Sequence, residues 1–129
     1  MLEKFPNPAV EGSGELSIDI EAPEFSCLCP ITGQPDTATI KVTYQPRAFC
    51  VESKAFKLYL VGFRNHGTFH EAVVTDIARD LIALLDPEYL RVDGEFAARG
   101  GIPFRPSYTY HRCQSLLDET IDDTIDLSN

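Results

Sequence analysis

Alternating apolar and polar residues predict four strands in this chain. The segment 15–22 alternates with a period of two, as does the β-branched run at 37–44. Two further segments, at 89–97 and at about 104–112, have the same character. We therefore expect two strands early in the chain and two late in it.

Between these pairs, the apolar spacing changes to that of helices. Ser53 is a candidate N-cap for a short helix that runs to about Arg64. The segment 69–85 predicts a longer helix, which Pro87 follows. Its apolar stripe consists of Val73, Ile77, Leu81 and Leu84.

Proline, glycine and charge mark the connections and the ends. Pro23 is expected to end the first strand, and residues 25–37 are expected to form a loop. Gly94 is a candidate bulge in the third strand. Residues 1–13 are predicted to be an extended lead-in, and about 116–129 an acidic, solvated tail.

The order strand, strand, helix, helix, strand, strand predicts an α+β fold. Two helices would cover one face of a four-stranded antiparallel sheet. The 129 residues are expected to form a single domain, 1–129. Because so small a sheet has exposed edges, pairing between subunits would give a ring-like homo-oligomer.

Composition narrows the classes of partner. The chain has 20 acidic and 11 basic residues, a net charge of −9, which disfavours direct binding to nucleic acid. No apolar run is long enough to span a membrane, and the N-terminus lacks the pattern of a secretory signal. Cytoplasmic residence is therefore expected, and the four cysteines do not indicate a disulfide scaffold.

Cys29 and Asp36 are the candidate nucleophile and proton donor. A cysteine in a loop is accessible to an electrophilic carbon, although a buried or incidental cysteine is the commoner case. Asp36 lies seven residues further along a Gly-Pro loop and could shuttle a proton, or could simply precede the second strand as a turn residue.

The starts of the two helices carry candidate binding residues. Glu71 either favours the helix dipole or accepts two N–H groups from a guanine-like edge, with His70 beside the reacting group. Lys54 and Lys57 form either a solvated face or a site for cofactor phosphates, which Arg99 could extend. No Gly-x-Gly-x-x-Gly occurs, so a Rossmann site is not expected.

Zinc is a competing interpretation. Cys27 and Cys29 with His66 and His70 would supply two sulfurs and two nitrogens. A Cys-x-Cys spacing is shorter than the usual separation of zinc ligands, which makes this the weaker interpretation.

Several short motifs resemble those of one enzyme family. In chain order they are the segments 29–36 (CPITGQPD), 52–59 (ESKAFKLY), 63–67 (FRNHG), the pair His70-Glu71 and 99–101 (RGG). From residue 2 onward, nearly the whole chain resembles the NADPH-dependent nitrile reductases of queuosine biosynthesis, the 7-cyano-7-deazaguanine reductases.

This resemblance implies the tunnelling fold, in which ββααββ subunits form rings with sites between subunits. It implies that Cys29 forms a covalent thioimide with the substrate nitrile and that Asp36 donates the proton. NADPH would be the cofactor and a deazapurine the substrate. The other implied site residues are Val51, Glu52, Ser53, His70 and Glu71 for the substrate, and Lys54, Lys57 and Arg99 for NADPH.

Other functions stay open on the sequence. Fold-mates include zinc-dependent GTP cyclohydrolase-like enzymes and purine- or pterin-binding ring proteins without catalysis. A related amidine-forming branch keeps the cysteine but lacks the cofactor motif, so Lys54 and Lys57 argue against that branch.

Overall fold

Seven strands and two helices lie in residues 1–112, which are the residues that the computed structural model describes. In chain order they are β1 (Lys4–Pro6), β2 (Ile18–Leu28), β3 (Pro35–Gln45), β4 (Phe49–Val51), α1 (Ser53–Val61), α2 (His70–Leu85), β5 (Tyr89–Arg99), β6 (Ile102–Phe104) and β7 (Ser107–His111). The predicted acidic tail at 116–129 lies outside the described residues. None of the helices in the described part is long and apolar enough to cross a membrane.

The main sheet is antiparallel and has five strands rather than the predicted four. Its order is β2-β3-β5, and β5 then pairs with β6 along one half and with β7 along the other. The predicted last strand is divided in two at Pro106, which lies between β6 and β7 and cannot donate to a ladder. The predicted lead-in also contains β1, which pairs with β4 in a separate two-stranded sheet.

Pro23 does not end the first strand, because β2 continues to Leu28. The register of β2 against β3 shifts between Ala22 and Phe25, so Pro23 lies in a bulge. Since β2 is the edge of the sheet, a residue without an N–H is tolerated there. The predicted loop at 25–37 is therefore much shorter and covers only residues 29–34.

The helices pack against one face of the main sheet, which confirms the α+β class. In α2 the predicted stripe is buried, with Val73, Ile77 and Leu81 inaccessible to solvent. Its fourth member, Leu84, is only partly buried, and Leu85 is buried instead. The apolar residues of β3 and β5 that face the helices are Ile40, Val42, Tyr44, Leu90, Val92 and Phe96.

Gly94 is not a bulge: it pairs with Ile40 in the regular register of β3 and β5. Without a side chain, Gly94 leaves room for α2 to pack against β5. A Cβ on Gly94 would lie 2.8 Å from Val74 Cγ2 and 2.8 Å from Phe96 Cε1, which is closer than real contacts allow. The irregularity of β5 lies further along, between Phe96 and Arg99.

Candidate active site

Cys29 directly follows β2, on a tight turn. Its backbone N–H donates to the Gln34 carbonyl at 2.8 Å, and its own carbonyl accepts from the Gly33 N–H at 2.9 Å. Gly33 has a φ of 72°, a conformation that glycine adopts without strain. The turn fixes the Cys29 backbone while leaving the side chain partly exposed.

The segment before α2 holds the end of β2 from the other side. The Leu28 N–H donates to the His66 carbonyl at 3.0 Å, and the Thr68 N–H donates to the Leu28 carbonyl at 3.0 Å. These two bonds form a parallel bridge between Leu28 and Gly67. Because α2 begins at His70, the bridge brings the helix start close to Cys29.

Asp36 is buried, with 6% of its surface exposed, and both of its carboxylate oxygens have partners. Oδ1 lies 2.6 Å from Nη2 of Arg99, and Oδ2 lies 3.3 Å from Nε2 of His70. The His70 ring stacks on Phe96, with centroids 4.0 Å apart and planes at 13°. Sheet and helix thus hold the carboxylate between two nitrogen groups.

Five of the ten predicted site residues line one cavity of about 250 Å³. They are Cys29, Asp36, His70, Glu71 and Arg99. Its wall also includes Thr68, Phe69 and Phe104. The structure therefore brings the candidate nucleophile, the candidate acid and three candidate binding residues together.

The two cysteines near this cavity differ in acidity. Hydrogen bonds from the Thr32 side chain, and from the Thr32 and Ile31 backbone, lower the pKa of Cys29 to about 7, with a smaller contribution from Arg99. Burial, followed by the charge of Asp36, raises the pKa of Cys27 to about 11. Near neutral pH Cys29 therefore ionises to the nucleophilic thiolate far more readily than Cys27 does.

The other predicted substrate residues lie elsewhere in the chain. Val51, Glu52 and Ser53 line a larger cavity of about 640 Å³, together with Lys57. This cavity lies between β2 and α1, and its wall includes Phe25, Phe56 and Leu60. The pocket expected from the sequence is thus divided between two cavities of one chain.

Glu52, rather than the predicted Ser53, is the N-cap of α1. Its carboxylate accepts from the Lys54 N–H at 2.7 Å and from the Ala55 N–H at 3.0 Å. These hydrogen bonds lower the pKa of Glu52. A carboxylate at this position satisfies two free donors and interacts favourably with the helix dipole.

Lys54 and Lys57 are exposed at the start of α1, and their surroundings suit a phosphate-bearing ligand. The first turn of α1 contains no acidic residue, and the carboxylate that interacts with the charge of Lys54 is that of the N-cap, Glu52. Lys57 and Arg64 line the larger cavity beside its apolar wall. Exposed cations next to an apolar surface fit a nucleotide, with its phosphates and its aromatic base.

The zinc ligands considered from the sequence do not come together. Cys27 is buried in the core, whereas His66 lies on an exposed turn. In the described part of the chain, no group of three or more His, Cys, Asp or Glu side chains is arranged to hold a metal ion.

Sequence reasoning missed three residues of the site. Thr32 supplies the main hydrogen bond to Cys29, and its signal was its place three residues further along the same turn. Phe96 supports the His70 ring, and its inward position in β5 was visible from the strand alternation. Phe104 contacts His70 edge to face, at a centroid distance of 5.5 Å, and no sequence pattern marked it.

Comparisons with known proteins agree on one family. Residues 35–115 match the family model described as QueF-like protein. The NADPH-dependent 7-cyano-7-deazaguanine reductase of Streptococcus thermophilus strain LMD-9 is 50% identical over 112 residues, which cover 87% of this chain and 68% of the relative. The enzyme of the same name from Anaeromyxobacter sp. strain K is 54% identical over 101 residues, 78% of this chain and 81% of the relative.

A solved structure supports the fold independently. The archaeosine synthase QueF-Like in its apo form superposes with a TM-score of 0.66, over 77% of this chain and 95% of that chain. Because the identity is 19%, this similarity bears on the fold alone.

Proposed function

Because the chain belongs to the QueF-like protein family, we propose that it is an NADPH-dependent oxidoreductase that reduces 7-cyano-7-deazaguanine to 7-aminomethyl-7-deazaguanine. The relatives that are half identical to it carry the name of this activity. The reaction is a step in making queuosine for tRNA, and it acts on the free base, which suits a chain of net charge −9. We place it in the cytoplasm.

The observation that carries this proposal is the shared cavity of Cys29, Asp36 and His70. The Cys29 thiolate adds to the nitrile carbon and forms a C–S bond, and the C≡N triple bond becomes a C=N double bond. The nitrogen takes one proton from the pair formed by Asp36 and His70, which lie 3.3 Å apart. The product of this step is a thioimide on Cys29.

Two reductions then complete the reaction. When bound, NADPH supplies a hydride, and two molecules in succession supply the four electrons that a nitrile needs to become an amine. After the first hydride has added to the thioimide carbon, the nitrogen lone pair forms a C=N bond as the C–S bond breaks, and Cys29 leaves as a thiolate. The second hydride and one proton then convert this imine to the amine. Until the C–S bond breaks, covalent attachment retains the substrate, and closure of the cavity by a neighbouring subunit would limit hydrolysis of the intermediates.

Glu71 and His70 are the proposed contacts to the deazaguanine ring. Glu71 is exposed in the first turn of α2 and lines the cavity of Cys29. A carboxylate there can accept two N–H groups from the guanine-like edge. Val51, Glu52 and Ser53 are proposed as further substrate contacts, reached from the larger cavity.

We place the complete site between subunits of a homo-oligomeric ring. The division of the proposed site residues between two cavities supports this arrangement, since a neighbour's larger cavity could complete the smaller one. Apolar side chains are exposed at both: Phe69 and Phe104 line one cavity, and Phe5 and Val61 line the other. Subunit contact would remove this surface from water.

Lys54 and Lys57 are proposed to bind the NADPH phosphates, because both are exposed at the start of a helix whose first turn contains no acidic residue. Replacing either by alanine should raise the NADPH concentration needed for half-maximal rate and leave thioimide formation unchanged.

Substrate-dependent oxidation of NADPH tests the function. We expect two NADPH oxidised for each nitrile consumed, and, without NADPH, an adduct at Cys29 that absorbs in the near ultraviolet. Absence of any adduct in protein with Cys29 intact, or absence of NADPH oxidation with this nitrile, would refute the proposal.

A further inference from the structure

Arg99 occupies an unusual position in the sheet. It is the last residue of β5, and Gly100 and Gly101 follow it with φ angles of 57° and 80°. These two glycines make the tight turn into β6. The turn places the Arg99 side chain at the end of the strand, beside the cavity of Cys29.

A bulge directs Arg99 to the catalytic face. Phe96 pairs with Phe104, but Arg99 pairs with Ile102, so β5 contains one extra residue in this stretch. In a regular strand, residues three apart point to opposite faces of the sheet. The extra residue corrects this, and Arg99 lies on the same side as Phe96, where His70 packs.

The guanidinium of Arg99 contacts the candidate acid and lines the same cavity as the candidate nucleophile. Nη2 lies 2.6 Å from Oδ1 of Asp36, which is short even for a charge-assisted hydrogen bond. Arg99 also lines the cavity of Cys29, and it makes a small contribution to lowering the pKa of that thiol. The other charged or titratable groups around this position are His70, on Asp36 Oδ2, Glu71, on the cavity wall, and the buried Cys27 thiol, which interacts electrostatically with Asp36, Arg99 and Cys29.

We infer that Arg99 is a positioning residue for C–S bond formation, which holds Asp36 beside Cys29 before any NADPH is bound. This inference rests on the proposed function and gives Arg99 a role beyond the cofactor contact that its motif implied. Without Arg99, one oxygen of a buried carboxylate loses its partner, and only His70 fixes the group.

The step itself needs no reductant, so it can be observed alone. Sulfur donates an electron pair to the nitrile carbon, one π pair of C≡N moves to nitrogen, and nitrogen takes one proton from Asp36 and His70. A residue that only binds cofactor phosphate cannot affect this step in the absence of NADPH, whereas a positioning residue must.

The experiment measures near-ultraviolet adduct formation without NADPH in Arg99→Gln and Arg99→Lys. Arg91→Gln is the matched control, because Arg91 lies in the same strand and its Nε pairs with Asp93 at 3.0 Å, outside the cavity. We expect adduct formation to slow at least tenfold in Arg99→Gln and to recover in part in Arg99→Lys, which keeps the charge but not the planar fork. Arg91→Gln should react at the wild-type rate.

A second measurement does not depend on the nitrile. The rate of Cys29 alkylation by iodoacetamide is followed against pH, with peptide mapping to identify the labelled cysteine. In Arg99→Gln the midpoint should move to higher pH, because a cation that favours the thiolate has been removed. Circular dichroism and thermal melting establish that each variant is folded.

The outcomes separate the inference from the proposed function. If wild type and Arg99→Gln form the adduct equally fast with the same alkylation midpoint, and the variant only needs more NADPH, the positioning role is wrong. If wild-type protein forms no adduct, the proposed function fails instead. An unchanged alkylation midpoint in Arg99→Gln would independently reject an effect of Arg99 on the Cys29 thiolate.

Discussion

At the residue scale, the cysteines of the chain differ in burial and in acidity, and the candidate site depends on this difference. Cys29 is partly exposed on a turn with hydrogen-bond donors around its sulfur, whereas Cys27 and Cys50 are buried. Burial raises the pKa of both buried thiols. Chemical selectivity should therefore follow from environment alone.

We predict that iodoacetamide at pH 7 labels Cys29 and leaves Cys27 and Cys50 unlabelled in the folded protein. Because the pKa of Cys29 is lowered to about 7, its rate should rise about tenfold per pH unit below pH 6 and level off above pH 8. Mass mapping of tryptic peptides over pH 5–9 measures this. Equal labelling of Cys27 would contradict it; Cys113 lies outside the described residues and is counted separately.

Cys29→Ala should abolish both the adduct and NADPH oxidation while the protein stays folded. The side chain is partly exposed, so its removal leaves no core cavity. The measurements are adduct absorbance, NADPH oxidation and circular dichroism. Retained NADPH oxidation with this nitrile would show that Cys29 is not the nucleophile.

The sequence indicated Cys29 and Asp36 as candidate catalytic residues, but not the residues that interact with them. Both residues are close together in the chain and of suitable chemical type, so local reasoning was enough to propose them. The ion pair of Asp36 with Arg99 joins residues from two strands, and it depends on a bulge that no local pattern reveals. Assigning Arg99 from its motif alone therefore left out its contact with the acid.

At the element scale, β5 and α2 can pack closely because Gly94 has no side chain. Val74 of α2 and Phe96 of β5 fill the space that a Cβ would need. Phe96 in turn stacks on His70, so the packing of the helix extends to the site.

Gly94→Ala should lower the free energy of unfolding by about 1–3 kcal/mol, because the added methyl group over-packs the interface between helix and sheet. Urea unfolding measures this. Gly14→Ala is the matched control, since a Cβ at Gly14 would meet nothing within 4 Å. Equal stability of the two variants would contradict the close packing at Gly94.

Glu52→Ala should lower the melting temperature by roughly 5 °C at pH 7, because two N–H groups at the start of α1 lose their acceptor. The pKa of Glu52 is lowered in the folded state, so its contribution is present above the ordinary glutamate pKa and is lost as pH falls through the folded value. The difference between variant and wild type should therefore shrink at low pH. Glu11→Ala, in an exposed loop, is the control and should melt like wild type at each pH.

The helices and strands with the longest regular pattern of apolar residues were predicted best. The stripe of α2 is long, and the helix was found with nearly correct ends. Pro23 misled because it was taken as the end of a strand, and whether a strand can continue past a proline depends on its lying at the edge of the sheet. Edge position is a property of the assembled sheet, which a local pattern does not contain.

At the scale of the whole molecule, the proposed site exceeds one chain. Cys29 and Lys57 line different cavities, so a site shared between subunits predicts complementation. Co-expressing Cys29→Ala with the double variant Lys54→Ala/Lys57→Ala should restore roughly a quarter of wild-type activity, because one interface in four then combines two intact halves.

Separately purified samples of the two variants, assayed alone, provide the baseline for that measurement. Differently tagged subunits allow the mixed oligomer to be isolated before the NADPH oxidation assay. Activity no greater than the sum of the separate variants would place the complete site within one chain.

Because β5 contains an extra residue, the number of residues in this strand matters as much as their identity. Deleting either Ala97 or Ala98 would preserve every motif of the chain, yet it would turn the guanidinium to the opposite side of the sheet. Homologous chains that differ in length in this stretch could therefore share all of these motifs and still differ in whether the arginine contacts the aspartate. Alignment gaps here deserve as much weight as substitutions.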